Sequence, residues 1–168
     1  AALTTVAYCA VSKGGRVSRD TMVFTPELVP DLQRLTDAVH AEGAAVSAQL
    51  GHAAQNQSKR YPSLGPSTRF SLPAMGRVHG ASKAELDEVV TQFEQATRVA
   101  IDAGFDAVEV HLGHNYLLSS FLSPNLNKRR DDLGGSIANR SAFPRRVVEA
   151  VRRVADGRVA VLAKFNMA

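Results

Sequence analysis

Short apolar runs alternate along this chain with amphipathic helical stretches, and the connections between them are lopsided. That combination narrows the possible folds more than any other feature. The run Val6–Val11 ends in the turn-rich Ser12-Lys13-Gly14-Gly15. A helix is expected from Thr25: Thr25 can cap, Pro26 takes the first helical position, and Leu28, Leu32, Leu35 and Val39 recur at helical spacing until Gly43. Ala45–Leu50 follows at once as a second strand. After a polar, Pro-containing loop over residues 51–81, Ser82 and Glu85 have capping-box spacing. They open a helix whose apolar face is drawn by Leu86, Val89, Val90, Phe93, Ala96, Ala100 and Ile101, and Gly104 closes it. Asp106–His111 is the third strand. A second long loop runs to Gly135, after which Phe143, Val147, Val151 and Val154 mark a third helix ending near Gly157. Two starts fit that helix: Ser141 capping a short one, or Ser136 capping a longer one with Pro144 near its first turns. Val159–Phe165 is the fourth strand.

The order βαβαβαβ implies parallel strands joined by right-handed crossovers. Helix-to-strand connections are very short, whereas two of the three strand-to-helix connections run to about 20 to 30 residues, against a usual ~2 to 6. All elaboration therefore lies at the C-terminal ends of the strands, where barrels and open parallel sheets both place their active sites. Neither G-x-G-x-x-G nor G-x-x-x-x-G-K-[ST] occurs, so a nucleotide-binding open sheet loses its main support. The expected fold is α/β, part of a (β/α)8 barrel. A complete barrel takes roughly 250 residues, and about four strands and three helices are legible over residues 1–168, read as one incomplete domain.

Composition sets outer bounds. With 45% hydrophobic and 21% charged residues, the chain has the make-up of a soluble globular protein. No apolar stretch approaches the roughly 18 residues of a membrane span and no signal peptide is legible, so a cytoplasmic location is expected. Cys9, the single cysteine, should be buried in its strand. The net charge of +4 comes largely from Lys128–Arg130, Arg140, Arg145, Arg146, Arg152 and Arg153. With 6% aromatic residues and no nucleic-acid motif, these charges read as a solvated face or, second, as contacts to a phosphate-bearing small ligand.

Alternation along the strands sorts the chemistry. Val46, Ala48 and Leu50 oppose Ser47 and Gln49; Val108 and Val110 oppose Glu109 and His111; Val161, Ala163 and Phe165 oppose Leu162 and Lys164. If the apolar faces meet the helices, Gln49, Glu109, His111 and Lys164 face the barrel interior, which is ordinarily filled by branched apolar residues. His114 and Tyr116 follow in the next turn, so two imidazoles and a phenol gather at the mouth. Lys164 beside Gln49 suits a fixed positive charge for an anionic ligand.

The stretch from Glu109 to Asp131, with His111-Leu-Gly-His114-Asn-Tyr116 at its head, followed by Gly134-Gly-Ser-Ile-Ala-Asn-Arg140, resembles the signature of the old yellow enzyme family of FMN-dependent oxidoreductases. Ala48-Gln-Leu-Gly-His-Ala53 resembles the family's third-strand motif, so the chain would span roughly strands 2 to 5 of that barrel. The resemblance implies a hydride passed from NADH or NADPH through FMN to an activated C=C bond of an enone, enoate or dienoyl compound. By the same resemblance, His111 and His114 would hydrogen-bond the substrate carbonyl oxygen, Tyr116 would protonate the α-carbon, and Gln49 would bond the flavin ring. Lys164 would stand near flavin N1 and the C2 carbonyl, where the family generally has arginine. Asn115 stands where glycine is usual in the turn, and Leu133 where tyrosine usually precedes Gly-Gly-Ser.

Three alternatives fit parts of the sequence. Glu109, His111, His114 and His52 offer the ligand types of a divalent metal in a hydrolase or isomerase barrel. Lys164 could form a Schiff base. An inactive fragment with two open sheet edges would pair with another chain, so a homo-oligomer is conceivable.

Overall fold

A computed structural model describes residues 2–54, 63–72 and 76–166. Its centre is a parallel sheet of β1 (Leu3–Ala10), β2 (Ala45–Gly51), β6 (Ala107–Leu112) and β7 (Ala160–Phe165), hydrogen-bonded in that order. Each crossover carries a helix: α1 (Val29–Ala41), α2 (Lys83–Asp102) and α4 (Ile137–Ala155). Among the described residues no helix is long and apolar enough to cross a membrane.

The helix ends follow from local chemistry. In α2 the capping box forms in full: the Glu85 N–H donates to Ser82 Oγ and the Ser82 N–H to Glu85 Oε2. Gly104 and Gly43, at φ 80° and 71°, adopt the left-handed conformation that stops α2 and α1. The next N–H groups, of Phe105 and Ala44, turn back to Ala100 and Val39 carbonyls, so each helix hands the chain directly to a strand. The start of α1 differs from the sequence expectation. Pro26–Leu28 is a 3-10 turn and the α-helix begins at Val29, because the Pro30 ring lacks an N–H and would meet the Pro26 carbonyl in a continuous helix. For α4 the longer alternative holds: Ser136 accepts from the Asn139 N–H, and Pro144 lies inside the helix.

All three helices cover one face of the sheet. Val46, Ala48, Leu50, Val108 and Val110 are fully buried there with Leu32 of α1, Phe93 of α2 and Val147 and Val151 of α4. The sequence alternation therefore sorts the two central strands correctly, and Cys9 is buried in the same core, its thiol pushed up to about 12 by desolvation. On the edge strand β7 the same sides hold, with Val161, Ala163 and Phe165 in register with Val108, Val110 and Leu112, but burial falls away. Phe165 of β7 is 60% exposed, since among the described residues β7 pairs only with β6, and it borders an apolar cavity of about 360 Å³ with Leu112, Leu122, Pro144 and Val148.

Both long loops hold structure that periodicity does not reveal. Residues 51–81 contain a small sheet in which β5 (Gly76–Gly80) pairs with β3 (Ser63–Gly65) and β4 (Arg69–Ser71). Three-residue strands are too short to show alternation. The second loop contains α3 (Leu117–Leu122), whose Phe121 ring packs 4.7 Å from that of Phe143. The basic cluster is also partly structural. The Arg129 guanidinium, 13% exposed, donates to the Pro66 and Ala81 carbonyls and pairs with Asp131, binding the small sheet to the loop; Arg140 donates to the Leu122 and Gly135 carbonyls. Asn127, buried, donates to the Phe121 and Leu133 carbonyls.

At the opposite end of the sheet, the Asp106 carboxylate accepts from the buried Val46 N–H at 2.7 Å and from His40 Nε2 at 2.8 Å, and these bonds hold its pKa below the ordinary carboxylate value. Asp106→Ala leaves the Val46 N–H without a partner and should lower unfolding free energy by about 1–3 kcal/mol. Ser82→Ala, at an exposed cap, should cost about 1 kcal/mol. Urea denaturation of both variants checks the ranking, and a smaller loss in Asp106→Ala would contradict it.

Candidate active site

β6 delivers His111 to the C-terminal end of the sheet, and the turn after it folds two more side chains back over that ring. His114 and Asn115 both lie in the left-handed region, at φ 57° and 54°. Asparagine is among the non-glycine residues that tolerate this conformation best, which accounts for Asn115 in a turn where glycine is usual. The turn is fixed on several sides. The Tyr116 N–H donates to the Gly113 carbonyl, Ser119 Oγ donates to the same carbonyl at 2.6 Å, the His114 N–H donates to Asn166 Oδ1, and the Leu117 N–H donates to the His52 carbonyl.

The sequence-predicted trio comes together. His111 Nε2 lies 3.0 Å from His114 Nδ1, and the Tyr116 ring stacks on His111 at a centroid distance of 4.7 Å. The Gly113 N–H donates to His111 Nδ1, so that nitrogen is an acceptor and the His111 proton sits on Nε2. His111 then donates to His114 Nδ1, which leaves the proton of a neutral His114 on Nε2. The two imidazoles thus form a series rather than two donors side by side.

Burial, with the nearby His114 and Lys164 charges added, lowers the His111 pKa to about 4, so the ring is neutral at physiological pH. His52 is also held near 4 by burial, and its Nδ1 accepts from the Ala54 N–H. Burial raises the Tyr116 phenol, which keeps it protonated and able to donate.

Gln49 and Glu109 are register partners on the inner face of β2 and β6, and Gln49 Nε2 donates to Glu109 Oε1 at 2.5 Å. Lys164 stands opposite His111 across the β6–β7 ladder, on the same face. The buried Ser47 Oγ, two residues before Gln49, has no partner among the described residues. Register and alternation thus put a carboxamide, an ammonium and a hydroxyl on the His111 side of the sheet. Among the described residues no group of three or more His, Cys, Asp or Glu side chains could hold a metal ion, so Glu109, His111, His114 and His52 do not gather as a ligand set.

Sequence reasoning missed Tyr8. Its ring meets Tyr116 edge-on at 5.4 Å and His111 at 6.1 Å. The pairing register shifts between Val6 and Cys9, and this irregularity breaks the alternation that would have marked Tyr8 as inward-facing.

A profile of the NADH:flavin oxidoreductase / NADH oxidase family matches residues 1–167. A 4,4'-dithiodibutanoate disulfide reductase of Rhodococcus erythropolis is 66% identical over 99% of this chain and 42% of its own length. An NADPH dehydrogenase of Geobacillus sp. (strain WCH70) is 36% identical over 92% of this chain and 46% of its own. Morphinone reductase in complex with tetrahydroNAD superposes with a TM-score of 0.91 at 27% identity, over 97% of this chain and 50% of that one. Old Yellow Enzyme from Pichia sp. AKU4542 shares the fold, with a TM-score of 0.89 at 24% identity over 97% of this chain and 46% of its own. The chain spans about half the length of the relatives it matches, and its four-stranded sheet is part of a (β/α)8 barrel.

The two depressed histidines give a pH dependence of definite sign. In the unfolded chain imidazole titrates near 6.5, whereas folded His52 and His111 titrate near 4. Between these values the unfolded state binds more protons, so stability falls as pH drops from about 6.5 and continues to fall toward 4; above 6.5 both states are neutral and the two groups add no slope. The urea midpoint should therefore decline from pH 6.5 to 5, before carboxylates titrate, and His52→Asn should reduce that slope. A midpoint that stays level over this window would contradict the assignment.

Proposed function

Because the chain belongs to the NADH:flavin oxidoreductase / NADH oxidase family, we propose that it carries the acceptor-reducing centre of an FMN-dependent NAD(P)H oxidoreductase whose acceptor is an activated alkene. The observation that carries this reading is the His111, His114 and Tyr116 cluster, which puts two imidazoles, that of His111 neutral, and a protonated phenol within one turn. FMN, when bound, takes a hydride from NADPH or NADH and returns it to the acceptor. Gln49 would hold the flavin ring through its carboxamide. Lys164 would supply positive charge near flavin N1 and the C2 carbonyl, where a reduced flavin is anionic.

The remaining steps belong to the chain's own side chains. His111 and His114 bind the carbonyl oxygen, where negative charge develops as hydride reaches the β-carbon. In the arrangement of the two rings His114 Nδ1 takes up the His111 proton, so that oxygen would reach His111 by displacing His114 Nδ1. A neutral His111 suits this role because it donates a hydrogen bond without giving up a proton. Tyr116 Oη delivers the proton to the α-carbon, completing net addition of H₂ across the C=C bond.

A second acceptor class is favoured by the disulfide reductase that is 66% identical to this chain. There hydride would cleave an S–S bond, one sulfur leaving as a thiol and the other as a thiolate that takes the Tyr116 proton.

The chain is loaded with FMN, freed of excess, reduced anaerobically and mixed with 2-cyclohexenone or 4,4'-dithiodibutanoate while flavin absorbance is followed. Reoxidation by the enone, slowed roughly 100-fold or more by Tyr116→Phe, is expected of a general acid. Reoxidation by the disulfide alone replaces the alkene reading with the second. A colourless protein after FMN is removed overturns flavin binding by these strands. Lys164→Gln should weaken FMN retention and lower the flavin midpoint potential, and an unchanged potential would remove Lys164 from the flavin's surroundings.

A further inference from the structure

Tyr8 occupies a seat that several independent features of the chain maintain. Val6 pairs with Ala48 and Cys9 with Leu50, so β1 spends three residues where β2 spends two. The extra residue lets Val6 and Cys9 both reach the helix-side core while Tyr8 is aimed at the inner face; such irregularities commonly re-aim a side chain beside a site. Gly51 makes room for the ring. A Cβ there would overlap Tyr8 Cε2 and lie 3.2 Å from His111 Cβ. The Tyr8 hydroxyl donates to the Gly15 carbonyl at 2.8 Å, which ties the far end of the ring to the β1 loop. What the seated ring touches is Tyr116, edge-on at 5.4 Å, and both tyrosines line one cavity of about 560 Å³ with Val17, Ser18 and Met22.

We propose that Tyr8 is a positioning residue for Tyr116: wedged above Gly51 and tied to Gly15, its ring fixes the Tyr116 phenol over His111 and keeps water from it. The role rests on the reading of Tyr116 as the proton donor. The three rings form a triangle in which Tyr116 stacks on His111 and Tyr8 meets both edge-on, so removing Tyr8 opens the aromatic wall that β1 contributes. The raised Tyr116 phenol, whose cause is burial, fits a ring sheltered in this way.

The test uses the chain labelled with ¹³C at tyrosine Cζ; it has three tyrosines, and Tyr116→Phe identifies the Tyr116 signal. In Tyr8→Leu the Tyr116 resonance should move and its titration midpoint fall toward the ordinary phenol value, while Tyr8→Phe, which keeps the ring, should hold both in place. Gly51→Ala, which pushes the Tyr8 ring from its seat, is a second variant and should move Tyr116 in the same direction. A Tyr116 titration unchanged by Tyr8→Leu or by Gly51→Ala overturns the proposal, and so does an equal shift in Tyr8→Phe. In FMN-loaded protein, Tyr8→Leu should slow the acceptor step about tenfold, leave flavin reduction by NADPH unchanged, and add nothing in a Tyr116→Phe background. If Tyr116→Phe itself has no effect on the acceptor step, the proton-donor reading fails, and the NMR result still decides whether Tyr8 holds Tyr116.

Discussion

The two central strands are packed from one side. Val46, Ala48 and Leu50 on β2, and Val108 and Val110 on β6, are fully buried against α1, α2 and α4. Side chains alternate along a strand, so committing these residues to the helix side commits Ser47, Gln49, Glu109 and His111 to the other. A one-residue slip of either strand would put apolar side chains on the inner face and drive Gln49, or Glu109 and His111, into the core, at a cost of several kcal/mol for each polar group left without partners. The register of the sheet and the composition of the site are therefore one constraint.

The polar inner face needs its own satisfaction, and apart from the Ser47 hydroxyl the structure provides it locally. Gln49 pairs with Glu109 across the ladder, His111 receives the Gly113 N–H, and His114 completes the series. The turn that makes this possible contains two consecutive left-handed residues, neither of them glycine. Such backbone is tolerated because Gly113, Tyr116, Ser119 and Asn166 hold it through hydrogen bonds. Burial then fixes protonation: a histidine that would partly charge near neutrality stays neutral at His111, and the phenol of Tyr116 stays protonated. The arrangement that suits proton donation is also one that acid destabilises.

The long loops, which carry no periodic signal, are held by single side chains acting on backbone carbonyls. Arg129 binds two carbonyls of the other long loop, and Asn127 binds one carbonyl on each side of itself within its own loop. A solvated reading of the basic cluster underestimates this, because charge in a sequence says nothing about which carbonyls lie within reach. Guanidinium groups, with five donors in a planar fork, are well suited to gather such ends.

The order of the four strands of the main sheet and their three crossover helices, the capping box at Ser82, the stops at Gly43 and Gly104, the two faces of β2 and β6 and the grouping of His111, His114 and Tyr116 were all legible in the sequence. Each depends on spacing within a few residues, which the backbone's own geometry translates directly into direction. The tertiary structure alone decided the rest. Tyr8 reaches Tyr116 through an extra residue in β1 and a gap at Gly51, two features far apart in the chain that only strand pairing brings together. The tautomers of the two histidines depend on which N–H faces which ring, and the neutral state of His111 on how completely packing removes water from it. Those are properties of distance and burial, which no local pattern encodes.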